Sequence, residues 1–188
     1  MPWGTFLVRL PLAVSLLAAS ATVPGSAVDL DGRPADPLAA SSGKAVVLVF
    51  LRRDCPVSSR YAPAIQKIAE QNAARAKFWL IFPDKSDAPD AVRDYLKDYA
   101  YRLPALRDPE HVLVKLGRVQ ITPEVAVFDR DQHLVYDGRV DNWYVDLSRS
   151  RHAATTHELQ DAIDAAATGK PLAQKEVRGV GCYISDLD

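Results

Sequence analysis

Apolar residues crowd into two short continuous runs in the first half of the chain, Ala45 to Leu51 (AVVLVFL) and Lys77 to Phe82 (KFWLIF). Runs of this length, rich in β-branched and aromatic residues, predict strands buried on both faces, and Pro83 stops the second. Between them the period changes. Tyr61, Ile65, Ile68 and Ala69 recur at three- and four-residue intervals and predict an amphipathic helix from Ser58 to Ala74, with Pro63 tolerable in an early turn. Val92, Tyr95, Leu96 and Tyr99 give the same signature over Ala88 to Tyr99.

The second half predicts shorter elements. Leu106 to Asp108 reads as a strand and His111 to Leu116 as a short helix; Glu124 to Phe128 and Leu134 to Gly138 read as the arms of an antiparallel hairpin around a polar turn. Thr155 to Glu158 has capping-box spacing, and the helix it opens carries Leu159, Ala162, Ile163 and Ala166 before Gly169 and Pro171 end it. Val28 to Gly32 is a short strand entering a turn. The order alternates first and then forms a hairpin, so right-handed crossovers place the early strands parallel and the hairpin antiparallel at one side. The expectation is a three-layer α/β domain with a mixed central sheet flanked by helices.

At the amino terminus, Arg9 precedes the apolar run Leu10 to Ala19, and Ala19-Ser20-Ala21 and Gly25-Ser26-Ala27 follow as small-x-small sites. This is the order of a signal peptide over residues 1–27, cleaved after Ala21 or Ala27, and the apolar run is too short to span a bilayer. The expected product is exported, periplasmic or extracellular, with no integral span. The rest divides into a domain over residues 28–170 and a flexible tail over 171–188. With 23 basic against 24 acidic residues, the charge gives no case for nucleic acid or an anionic membrane surface.

Cys55 stands out against this background, directly after the first buried strand and at the start of the first helix. Helix N–H groups and the helix dipole stabilise a thiolate there, and the thiolate is the nucleophilic form. Arg52, Arg53 and Arg60 push the same way; Asp54 opposes them. An inert buried cysteine is the competing reading. Ser58 reads equally as a helix cap and as a hydrogen-bond donor to the sulfur. The second cysteine is Cys182, and in an oxidising compartment the two allow one pairing. A structural bridge and a redox pair both satisfy the spacing. The histidines His111, His133, His152 and His157 are scattered without ligand spacing, so no metal and no cofactor is expected.

The strand VVLVF leading to Cys55, Thr122-Pro123 before the strand EVAVF, and the hairpin VFDRDQHLVYDGRVD together resemble the thioredoxin-like superfamily, in its redoxin branch of peroxiredoxin-like and thiol-disulfide oxidoreductase proteins. The resemblance covers roughly residues 28–168. It implies a thioredoxin-like fold, a cis bond at Pro123 facing Cys55, and a site lined by Pro56, Ser58, Arg60, Thr122 and Pro123. It also implies thiol-disulfide exchange at Cys55, with Cys182 as a resolving thiol and a redox protein or thiol reductant as partner. The departures are specific. Cys-x-x-Cys is replaced by Cys55-Pro56-Val57-Ser58, Arg52 stands where peroxiredoxins carry threonine or serine, and Ser59 removes the second cysteine of the copper carriers. A thiol peroxidase with an antioxidant role, and a non-catalytic binding or assembly domain, are the alternatives.

Overall fold

The computed structural model describes residues 27–185 together with Met1 and Leu187. Residues 2–26 of the expected signal segment, with the site after Ala21, lie outside them. Among the described residues no helix is long and apolar enough to cross a membrane.

The chain runs β1 (Val28–Asp29), β2 (Ala45–Phe50), α1 (Pro56–Asn72), β3 (Ala76–Phe82), α2 (Pro89–Asp98), β4 (Ala105–Arg107), α3 (Val112–Gly117), β5 (Ile121–Thr122), β6 (Glu124–Phe128), β7 (Leu134–Gly138), β8 (Tyr144–Asp146), β9 (Arg149–Ser150), α4 (Glu158–Thr168), β10 (Glu176–Val177) and β11 (Cys182–Tyr183). The central sheet has the order β1-β4-β3-β2-β6-β7-β10. β2, β3 and β4 are parallel, and β6 and β7 form the expected antiparallel hairpin beside β2. β1 is antiparallel to β4, against the expectation of parallel early strands. The physical reason is that only a single 3-10 turn at Ala39–Ser41, and no α-helix, separates β1 from β2, so no βαβ crossover constrains its direction.

Both faces of β2 are covered. Val47, Val49 and Leu51 pack with α1, α2 and α4 through Tyr61, Ile65, Val92, Tyr95, Leu159 and Ile163. Val46, Leu48 and Phe50 pack the other way, against Leu113, Val114, Val119 and Ile184. This period-two split of one apolar run is the three-layer, mixed α/β arrangement expected from its composition.

Two local expectations are corrected. The first helix begins at Pro56, not Ser58, with Cys55 as its N-cap, because proline suits the first helical position. The capping box at Thr155 is not formed: α4 starts at Glu158, and the Thr155 and Thr156 N–H groups donate to the buried Asn142 Oδ1 at 2.7 and 3.2 Å.

Where the sequence suggests a flexible tail, the structure places two short strands. β10 extends the sheet parallel to β7, and β11 pairs antiparallel with β5. Gly138 makes the first docking close: its φ is +142°, and a Cβ there would lie 2.1 Å from the Val177 carbonyl oxygen. Asp137 on β7 faces Glu176 on β10 in register. Burial, then the charge of Glu176, push the Asp137 carboxyl up from 3.8 to about 6. A carboxyl whose native value is raised favours the folded state when protonated. Its contribution is therefore complete below 3.8 and lost as pH rises through about 6. Asp137→Asn should remove that step. The difference in thermal midpoint between variant and parent should grow over this window, and a difference flat with pH would refute the assignment.

Candidate active site

The buried end of β2 delivers Leu51, and the chain then turns through Arg52, Arg53 and Asp54 into α1. Cys55 caps that helix and is fully buried. Ser58, one turn in, is also fully buried, and its hydroxyl accepts the Arg52 N–H at 3.4 Å. The helix-start groups of Val57 and Ser58 favour the ionised form of the Cys55 sulfur. Across from them, the Thr122–Pro123 peptide bond is cis. The Thr122 carbonyl lies 3.2 Å from Cys55 Sγ and accepts from it when the thiol is protonated.

Cys182 completes the arrangement. β11 pairs Cys182 with Thr122 and Tyr183 with Ile121, so the strand lies on the loop that faces Cys55. The Thr122 hydroxyl donates to the Cys182 carbonyl at 3.4 Å. Burial pushes the Cys55 thiol up, but the hydrogen bond from the Cys182 thiol, then those from Ser58 and Val57, outweigh it and leave the value below the ordinary thiol range. The partner moves oppositely. Burial and the hydrogen bond it donates to Cys55 push Cys182 up to about 12. Both cysteines are free thiols. The pair is thus polarised, with Cys55 the sulfur that ionises and Cys182 the one that holds its proton.

The carboxyl-terminal strap is tied down at several points. Arg52 Nη1 donates to the Tyr183 carbonyl at 3.3 Å, while Arg52 Nε lies 2.8 Å from Asp54 and 3.1 Å from Asp84. The Ile184 N–H donates to the Gln120 carbonyl at 2.9 Å, and its side chain is buried in the lower core. Gly181 permits the approach: a Cβ there would meet the Thr122 carbonyl oxygen at 2.0 Å.

The structure therefore brings Cys55, Ser58, Thr122, Pro123 and Cys182 together. It does not bring Arg60, whose guanidinium donates to the Tyr144 hydroxyl at 3.2 Å instead. Pro56 is exposed and serves the helix start. Arg53 is likewise committed elsewhere, to the buried Asp87 at 2.5 Å. Sequence reasoning passed over Glu124, a fully buried acid at the head of a strand otherwise made of Val125, Ala126, Val127 and Phe128. The signal available was that mismatch: one carboxylate in an apolar run, next to Pro123.

Replacing Cys182 by alanine removes the largest hydrogen bond that lowers Cys55. The pH midpoint for alkylation of Cys55, followed on its tryptic peptide, should move upward, and an unchanged midpoint would mean that Cys182 does not stabilise the thiolate.

The sequence model described as Redoxin matches residues 18–149. No curated protein matches the chain. Among solved structures, a hypothetical protein from Sinorhizobium meliloti 1021 superposes with a TM-score of 0.70 at 23% identity, covering 84% of this chain and 88% of its own. An uncharacterized conserved protein from Geobacillus kaustophilus gives 0.69 at 22% identity, over 85% and 86%. A secreted disulfide oxidoreductase from Mycobacterium tuberculosis gives 0.54 at 23% identity, over 74% and 94%. At these identities the likeness is one of thioredoxin-like fold.

Proposed function

The chain belongs to the Redoxin family, and on that premise we propose that it is an exported thiol-disulfide oxidoreductase with Cys55 as nucleophile and Cys182 as resolving thiol. The observation that carries the reading is geometric: β11 pairs Cys182 with Thr122, whose carbonyl lies 3.2 Å from Cys55 Sγ at the helix start, and the two thiols are shifted in opposite directions, Cys55 down and Cys182 up. The Cys55 thiolate attacks one sulfur of a substrate disulfide, forming a mixed disulfide and expelling the other sulfur as a thiolate. Cys182 then loses its proton and attacks Cys55 Sγ. The second substrate sulfur leaves and the Cys55–Cys182 disulfide forms. The substrate gains two electrons, and the protein is oxidised by two. A redox protein or thiol reductant would return it to the dithiol. No metal or cofactor enters this chemistry.

The deep burial of Cys55 beneath the strap requires the strap to lift when substrate enters. Lifting also takes Cys182 out of the burial that holds its proton, so it ionises more readily, giving its proton to solvent, at the stage that needs the resolving thiolate. Export rests on the signal-like order of residues 1–27 and on the secreted character of the Mycobacterium relative. Arg52, standing where peroxiredoxins carry threonine or serine, favours disulfide over peroxide chemistry.

The test is non-reducing peptide mapping after the reduced protein meets a protein disulfide. The expected result is a Cys55–Cys182 link, with two substrate thiols released per chain. Two cysteines still alkylatable after exposure would overturn the reading. Rapid hydrogen peroxide consumption with sulfenic acid at Cys55 would replace it with the peroxidase.

A further inference from the structure

We propose that Glu124 is a positioning residue: its buried carboxylate binds the carboxyl-terminal strap to the loop ahead of Pro123 and thereby sets Cys182 over Cys55. The proposal rests on the reading of Cys182 as the resolving thiol.

Glu124 follows the cis bond directly and is fully buried. Oε2 accepts the Gln120 N–H at 3.1 Å and the Ile121 N–H at 3.4 Å, at the start of the strand that pairs with β11. Oε1 accepts the Gly179 N–H at 3.1 Å, three residues before Cys182. Arg178 Nη1 lies 3.9 Å from Oε2, while Arg178 Nη2 reaches Glu176 at 2.8 Å. One carboxylate thus bonds the start of β5 and the segment that leads into β11, a short distance in sequence from Thr122 and from Cys182.

This placement has a cost that an apolar side chain would avoid, since a buried charge is tolerated only when it is well hydrogen-bonded. The rest of β6 uses Val125, Ala126, Val127 and Phe128. What the carboxylate supplies, and no apolar residue can, is acceptors on two sides at once. Glutamine keeps the shape but has one acceptor oxygen and an amino group. However it turns, the amino group faces a backbone N–H, either on the Gln120–Ile121 side or on Gly179. One side of the junction is then lost.

The test compares the parent chain with Glu124→Gln, and the Cys182→Ser chain with the same change added. The equilibrium of the Cys55–Cys182 disulfide with glutathione gives the effective concentration of Cys182 at Cys55. It should fall at least about tenfold in Glu124→Gln. In the Cys182→Ser background, alkylation of Cys55 should stay within about twofold, because the nucleophile's own surroundings are intact. Amide hydrogen exchange over residues 178–184 of the reduced protein should quicken in Glu124→Gln. This readout does not depend on any disulfide. Arg178→Ala, on a partly exposed side chain, should shift the same readings less and leaves the core untouched should Glu124→Gln fold poorly. An unchanged effective concentration with unchanged exchange would overturn the proposal. So would an equal loss of Cys55 reactivity in the Cys182→Ser background, which would make Glu124 a general support of the site. A parent chain that never forms the Cys55–Cys182 disulfide would overturn the resolving reading, and the exchange data would then decide the positioning claim.

Discussion

Substituting Cys55 by serine is expected to lower disulfide reduction by at least about a thousandfold, the scale on which loss of a covalent nucleophile is felt. A hydroxyl in the same place does not ionise at neutral pH. The helix start can stabilise only an anion that forms. Cys182→Ser should fail differently. Its Cys55 still attacks, so one equivalent of substrate is taken up and the chain stalls as a mixed disulfide that intact mass measurement detects. The contrast between no adduct and a trapped adduct separates the two sulfurs' roles. A Cys55→Ser protein retaining more than a few per cent of the parent rate would end the assignment of the nucleophile.

The second large effect is expected at Gly181. A Cβ at this position would lie 2.0 Å from the Thr122 carbonyl oxygen and 2.7 Å from its carbon, so alanine cannot be accommodated without moving the backbone. The strand that must yield is β11, two residues long and paired only with β5 among the described residues. Gly181→Ala should therefore release the strap. Alkylation of Cys55, compared at a pH where the thiol is ionised in both proteins, should become faster, since its cover is gone, while resolution of the mixed disulfide should slow by about one to two orders of magnitude. A docked thiol would have become one on a flexible tether, whose effective concentration is of order millimolar. Stopped-flow alkylation and quenched-flow mass analysis read the two rates. Rates that both rise, or both fall, would show that the strap does not act as cover and resolving arm together.

The sequence and the structure agree most closely where local physics leaves few choices. Ala45 to Phe50 has no polar residue to face water, so it is a central strand whichever way the domain is wound. A cysteine following such a strand and preceding a helical pattern falls at a helix start, where the first N–H groups are unpaired. Both facts are available from neighbouring residues alone. Arg60 shows the limit of that reasoning: a cation within five positions of Cys55 in sequence is turned by the helix toward Tyr144. Charge proximity along a chain is a poor guide once a helix has rotated the side chain away.

The carboxyl-terminal segment shows the limit from the other side. Its polar composition and its glycines suggest a free tail, because short strands of two residues have no periodicity to detect. Its order comes from backbone pairing with β7 and β5, from a buried Ile184 and from the N–H groups held by Glu124, all of them contacts remote in sequence.

What the sequence by itself determined is the mixed α/β core and the placement of Cys55 at a helix start, since strand burial and helix starts are decided by residues a few positions apart. Only the tertiary structure decided that Cys182 is held at Cys55 and that Glu124 joins the two segments. Those meetings depend on the pairing of β11 with β5, whose residues lie some sixty positions apart and carry no mutual signal along the chain.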